Sequence, residues 1–302
     1  MKITFVCDDR LMKETGGIIT FYYHLKTLCE KNNILFEVFT PRLDYDGGVY
    51  PIFTREHLHK QYDVLITNDF HSLARCRTVK ANVRINYNHL GDLHVFGREE
   101  DKYSSYQPDH VYMNLKELKA QGNVYVSQIG QKLDFDERGI ESKVLPMPFY
   151  PEKFKKPQQE GIAFASTDCE RKNLPFLIDN VPEDIPVGLY CYTSRELPLN
   201  FKNSVVPNAS IQQELAKYKM LLLPSYVDTY GYVLLEAMQY TRPVLIPQYW
   251  NRELPFDKVE TKEDIIRLYN EPYKPKFDIH AYSQETERKW IELLKGGDEW
   301  RS

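Results

Sequence analysis

Short apolar runs, each closed by glycine, proline or a polar cluster, recur along this chain and predict buried strands. In the first half they are Lys2 to Cys7, Ile34 to Thr40, Tyr62 to Asp69, Asn82 to His89, Asn123 to Ser127 and Lys143 to Pro148. In the second half they are Gly161 to Ser166, Val187 to Tyr192, Met220 to Leu223 and Pro243 to Ile246. Between them the apolar period changes to that of a helix, as from Ile18 to Glu30 and from Gly231 to Tyr240, where Pro243 ends the pattern. Strand, helix and strand in alternation predict parallel sheets covered by helices, an α/β fold. The last periodic segment, Ser283 to Lys295, sets Trp290, Leu293 and Leu294 on one face of an amphipathic helix. A proline- and lysine-rich stretch, Lys143 to Gly161, reads as a linker. It divides the chain into domains of residues 1–150 and 151–282.

Composition narrows the class only a little. A chain of 302 residues, 42% hydrophobic and 27% charged, suits two globular domains with ample cores. A net charge of −4 argues against wholesale nucleic-acid binding but leaves room for a local basic patch. Cys7, Cys29, Cys76, Cys169 and Cys191 are widely spaced without a CxxC pair, which suggests reduced thiols in a cytoplasmic protein. No apolar run of 18 residues and no signal-like leader is present, so neither a membrane span nor export is expected.

The chemistry concentrates in Leu221 to Gln248, LLLPSYVDTYGYVLLEAMQYTRPVLIPQ. Asp228 falls in the loop at the carboxyl end of a predicted strand, where open α/β sheets bind ligands. Glu236 lies about two turns further along, inside the following helix and among apolar residues. A buried carboxylate needs a partner, and the hydroxyls of a ribose would serve. A surface glutamate on an amphipathic helix is the plainer account of the same spacing. Near the amino terminus, Gly16 and Gly17 open the first helix, where backbone N–H groups can approach a phosphate, although a simple tight turn has the same signature. His89 ends a strand at the ligand-binding edge, and a structural and a functional histidine stay equally open there. Two Asp-x-Asp strings, Asp44 to Asp46 and Asp134 to Asp136, lack a supporting apolar strand and read as chance.

Taken whole, the string from Pro224 to Val244 resembles the signature P-S-x-x-E-x-x-G-x-x-x-x-E-A-M-x-x-G-x-P-V of the retaining GT-B glycosyltransferases of the GT4 type. Pro224, Ser225, Gly231, Glu236, Ala237, Met238, Pro243 and Val244 match; Asp228 replaces the first Glu and Thr241 the Gly. The resemblance implies two Rossmann-like domains facing across a cleft, with the helix from about 283 to 302 packing back on the first. It implies transfer of a sugar from a nucleotide-sugar, a UDP-sugar being expected, with retained configuration and neither cofactor nor divalent metal. Glu236 would hold the donor ribose and Asp228 the transferred sugar. Thr229, Tyr230 and Gly231 would complete that loop. Gly16 and Gly17 would give the diphosphate backbone donors, and His89 would orient sugar or acceptor. Lys172 matches a family lysine on the donor phosphates, but Thr167 stands where the family has an arginine, a charge that Arg171 could supply.

The acceptor is open. Arg75, Arg77, Lys80 and Arg84 form a run without an acid, which could meet a polyanion or simply face solvent. A compact chain with such a run loosely resembles the phage enzymes that glycosylate hydroxymethylated bases in double-stranded DNA, and that is the leading expectation. A saccharide or cell-surface glycan is the competing acceptor. The departures at Thr167, Asp228 and Thr241 also allow a non-catalytic nucleotide-sugar-binding protein.

Overall fold

Two six-stranded sheets, parallel throughout, carry the chain. The structure is a computed structural model and describes residues 1–7, 16–40, 53–68, 70–203, 211–275 and 278–296. The first sheet consists of β1 (Lys2–Val6), β2 (Leu35–Phe39), β3 (Gln61–Thr67), β4 (Lys80–Asn88), β5 (Val124–Val126) and β6 (Ser142–Val144), in the order β2-β1-β3-β4-β5-β6. The second consists of β7 (Ile162–Ala165), β8 (Val187–Tyr190), β9 (Phe201–Asn203), β10 (Met220–Leu223), β11 (Arg242–Leu245) and β12 (Asp257–Lys258), in the order β12-β11-β10-β7-β8-β9. Central strands such as β8, β10 and β11 are buried along their whole length, which is why they read as unbroken apolar runs.

The strand orders fix where ligands belong. In the second sheet the chain builds outward from β7 through β8 to β9, then returns to the other side of β7 with β10. That is the doubly wound order, and its direction reverses between β7 and β10. The equivalent reversal in the first sheet lies between β1 and β3. At such a switch point the loops leaving two adjacent strands diverge and open a crevice at their carboxyl ends.

Contacts divide the chain into two units. The first comprises Met1–Phe96, Tyr106–Phe149 and Ser283–Ser302; the second comprises Gly97–Ser105 and Tyr150–Tyr282. Nothing in the sequence marked Gly97–Ser105 as belonging with the second unit. The core of the second unit gathers Phe164, Leu177, Leu189, Leu222, Val244 and Ile265. The final helix, Ile279–Leu294, carries Trp290 into the first unit. There the fully buried indole lies 5.9 Å from the Phe21 ring and 5.7 Å from that of Tyr87, and donates to the Pro146 carbonyl at 2.8 Å.

Several elements differ from expectation at their ends. β4 begins at Lys80 and stops at Asn88, so His89 lies just past the strand. The helix expected over Gly231 to Tyr240 is Tyr232–Met238, with Gly231 as its extended N-cap. Asp69 and the Asp44 to Asp46 string lie outside the described residues. None of the five cysteines is in a disulfide. Among the described residues no helix is long and apolar enough to cross a membrane.

Trp290→Ala removes the largest buried side chain of the last helix and orphans the Pro146 carbonyl. Unfolding by denaturant should show a loss of roughly 3–5 kcal/mol, and Trp290→Phe a clearly smaller one.

Candidate functional site

Candidate residues on the second unit come together at its switch point. The loop leaving β7 ends in a short 3-10 turn, Glu170–Lys172, and Asn173 follows in the left-handed region at φ 53°. Asparagine tolerates that conformation better than most residues, and the bend brings the chain from the turn into the helix Leu174–Asn180. The loop leaving β10 lies alongside: the Tyr226 N–H donates to the Arg171 carbonyl at 2.8 Å. That backbone tie sets Lys172 against Asp228, and their side chains form an ion pair. Both are largely withdrawn from water, with side-chain exposures of 11% and 19%.

The electrostatics of Asp228 are a contest. Burial pushes its pKa up, but the Lys172 and Arg171 charges and hydrogen bonds from Lys172 and the Thr229 N–H outweigh it, so the carboxyl is held below its ordinary value. Asp228 is therefore ionised at neutral pH. The Thr229 N–H lies 2.9 Å from Asp228 Oδ1, closing the loop on itself. Arg171 has no ion-pair partner among the described residues.

Glu236 is different. It sits half-buried in the helix Tyr232–Met238, and no hydrogen bond or ion pair holds its carboxyl among the described residues. Burial first, and the nearby Glu152 second, push its pKa up to about 8. A carboxyl so placed lacks the cation that Asp228 enjoys, and ligand hydroxyls could supply the missing bonds.

The structure shows how Tyr230 and Thr241 are packed. Tyr230 does not offer its side chain to a ligand: the ring is buried against Phe256, with centroids 5.9 Å apart, and its hydroxyl reaches Met238 Sδ at 3.8 Å. The departure at Thr241 has a structural reason rather than a functional one. Its buried hydroxyl lies 2.7 Å from the Leu215 carbonyl and 3.0 Å from that of Tyr218, capping the end of the helix Ile211–Leu215. Thr167, where the family has arginine, is exposed, and its hydroxyl lies 3.5 Å from Cys169 Sγ. The neighbouring Asp168, which no motif indicated, accepts from Arg195 Nε at 2.9 and 3.1 Å and from the Thr193 hydroxyl at 2.6 Å.

On the first unit, Gly16 and Gly17 begin the helix Gly16–Lys31, as expected. A Cβ built on Gly17 would meet nothing within 4 Å, so neither packing nor backbone conformation demands glycine there. His89 is set by an Asx turn, in which the Leu90 N–H donates to Asn88 Oδ1 at 3.2 Å, and by ring contacts to Phe21 and Tyr87 at 4.4 and 4.7 Å. Burial pulls its pKa down to about 3, so the imidazole is neutral, and its Nε2 makes no hydrogen bond among the described residues. The second Asp-x-Asp string is structural: buried Asp134 pairs with Arg138 at 2.9 Å and lies 3.5 Å from His94 Nδ1.

The basic run falls on the other edge of its sheet. Arg77 sits in the turn that precedes β4, and Lys80 is the first residue of that strand, at the amino edge. Arg77 pairs with Glu117. Arg84 bonds the Cys76 and Val79 carbonyls and Gln121, and burial lowers its pKa.

No protein-family model matches the chain, and no curated protein matches it. Solved structures do. HepE of Anabaena, determined with UDP and glucose, matches with a TM-score of 0.64 at 16% identity, over 98% of this chain and 100% of that one. An alpha-glucosyltransferase bound to UDP and a 13-mer DNA containing an HMU base matches with a TM-score of 0.56 at 10% identity, over 97% and 95%. TarM of S. aureus, in complex with fondaparinux, alpha-GlcNAc-glycerol and UDP, matches with a TM-score of 0.56 at 14% identity, over 77% and 55%. The chain thus spans about half the length of TarM. Together with the two parallel sheets, these likenesses give the chain the α/β architecture of the GT-B fold.

Glu236 gives the fold a signed pH dependence. Its folded pKa exceeds the unfolded one, so between about 4.5 and 8 the folded state holds a proton that the unfolded state has released. Raising the pH through that window therefore costs stability. Glu236→Gln should be more stable than the parent at pH 8.5 by roughly 1–3 kcal/mol, and the difference should largely vanish at pH 5, as followed by denaturant unfolding.

Proposed function

We propose that this chain is a glycosyltransferase that moves a sugar from a nucleotide-sugar to an acceptor hydroxyl. The observation that carries the reading is the Lys172–Asp228 pair at the switch point of the second sheet, with Arg171 beside it and the unpartnered Glu236 on the next helix. Two adjacent cations suit a diphosphate, and an unsatisfied carboxyl suits a diol. The three solved structures described above all hold UDP, which favours a UDP-sugar as donor.

In this reading Asp228 keeps Lys172 oriented while the site is empty. When the diphosphate takes over Lys172 and Arg171, the Asp228 carboxylate is released to accept from a hydroxyl of the transferred sugar. The two cations then stabilise the charge that grows on the diphosphate as the glycosidic bond breaks. Glu236 accepts from the ribose, with Thr229 and Gly231 shaping the loop by their backbone; on the first unit, as the resemblance implies, the backbone N–H groups of Gly16 and Gly17 suit a phosphate. His89, being neutral, orients a hydroxyl and does not serve as an acid. We further propose that configuration is retained and that the reaction needs no divalent metal, as the GT4-type resemblance implies.

Two acceptor classes have specific support. Hydroxymethylated DNA is favoured by the likeness to the alpha-glucosyltransferase bound to DNA. A saccharide is favoured by the placement of Arg77 and Arg84, which are engaged within the first unit and away from the carboxyl edge.

The test offers radiolabelled UDP- and GDP-sugars, in EDTA, with duplex DNA containing hydroxymethylcytosine, with unmodified DNA, or with a saccharide panel. Label should enter one acceptor class, and Asp228→Asn or Lys172→Met should cut transfer on the order of 100-fold or more while leaving the fold cooperative. Transfer that survives both substitutions would exclude this site. Nucleotide binding with no transfer, even after metal is added, would identify a non-catalytic binding protein.

A further inference from the structure

Between Val95, where one helix of the first unit ends, and Pro108, where the next begins, the chain leaves that unit and runs through Gly97–Ser105 as part of the second. The segment is charged and carries one 3-10 turn, Glu99–Tyr103. It is nonetheless pinned at several points. Glu100, buried, accepts from the Tyr249 N–H in the loop that leaves β11. The Arg98 guanidinium lies 4.5 Å from the Tyr249 ring centroid, and Arg252 lies 3.9 Å from the same ring. The Tyr103 ring stacks on that of Tyr226, with centroids 4.0 Å apart and planes 10° from parallel.

That last contact falls at a consequential place. Tyr226 stands two residues before Asp228, and its N–H makes the bond to the Arg171 carbonyl that holds the β7 and β10 loops together. A flat ring stacked on Tyr226 restricts how that loop can move. The strap therefore bears on the residue that aligns Lys172 with Asp228, although it touches neither of them in the contacts described.

We propose that Tyr103 is a positioning residue, acting through Tyr226 to hold the Lys172–Asp228 pair, so that the Gly97–Ser105 strap forms part of the donor site. The inference deepens the glycosyltransferase reading and rests on it for the identity of the ligand. The geometric claim about the pair can be read without any ligand.

The experiment follows the acid titration of the Asp228 carboxyl by carbon NMR in the ligand-free full chain, and then titrates each protein with UDP. Asp228 faces Lys172, Arg171 and the Thr229 N–H, so loss of the pair returns its midpoint toward the ordinary carboxylate range. Tyr103→Ala should raise that midpoint and weaken UDP binding on the order of 10-fold, whereas Tyr103→Phe, which keeps the stack, should restore both. A Tyr103→Ala titration identical to the parent's would overturn the inference. If the midpoint moves as expected but the parent protein binds no UDP, the positioning role stands and the nucleotide-sugar reading fails. Should Tyr103→Ala not fold, Tyr103→Leu, which keeps apolar area without a flat ring, decides the same question.

Discussion

The ion pair between Lys172 and Asp228 is the constraint from which the second unit's site follows. Burial of either charge alone would carry a desolvation penalty of several kcal/mol that the other offsets. Each makes the other possible, and the backbone bond from Tyr226 to Arg171 sets the geometry in which they meet. Removing one partner of such a pair leaves an uncompensated charge, so breaking it is costly even though the intact pair contributes little net stability. Its location at the reversal of strand order has a topological cause. Loops from adjacent strands that run in opposite directions must separate there, and only there do two loops offer side chains to a common crevice.

Within each unit the protein sets ionisable groups in opposite ways. Asp228 is half-buried and stays ionised because two cations outweigh desolvation; Glu236 is half-buried and keeps its proton to about pH 8 because none does. His89, on the first unit, is held neutral by burial alone. Three groups with ordinary values near or below neutrality thus arrive in three different states, set by what each is packed against. On the second unit, Lys172 and Arg171 suit an anion, while an uncharged hydroxyl suits Glu236.

Much of this was legible in the sequence because the signals were local. A buried parallel strand shows itself as a short apolar run, and ten such runs fell on ten of the twelve strands, within a few residues at their ends. β9 and β12 gave no such signal because each is an edge strand of two or three residues with little apolar content. The loop from Pro224 to Gly231 stood out because its glycine, Asp228 and the flanking helix with Glu236 lie in one string. Contacts made over distance were not. The pairing of Lys172 with Asp228 joins residues 56 apart in sequence. The strap gave no sign at all: GREEDKYSS reads as a charged surface loop, and only the fold shows Glu100 buried and Tyr103 stacked. Tyr230 misled for the opposite reason, since membership of a motif says nothing about which way a side chain points.

The basic run shows how a charge pattern can mislead about a partner. Read along the chain, Arg75 to Arg84 is a cluster without an acid. In the fold its two most constrained members have protein partners, Arg77 with Glu117 and Arg84 with backbone carbonyls and Gln121. Lys80 opens β4 and so stands at the amino edge, a strand's length from the loop that bears His89. A polyanion drawn to that edge would be held away from the end of the sheet where parallel α/β proteins place their ligands. Near that end the first unit has a neutral imidazole, whose Nε2 is buried without a hydrogen bond among the described residues, and a glycine beside open space. Neither group carries a charge that would neutralise a phosphate. Any DNA acceptor would then owe its binding to charges other than this run, in a chain whose net charge is −4. A sugar hydroxyl needs none.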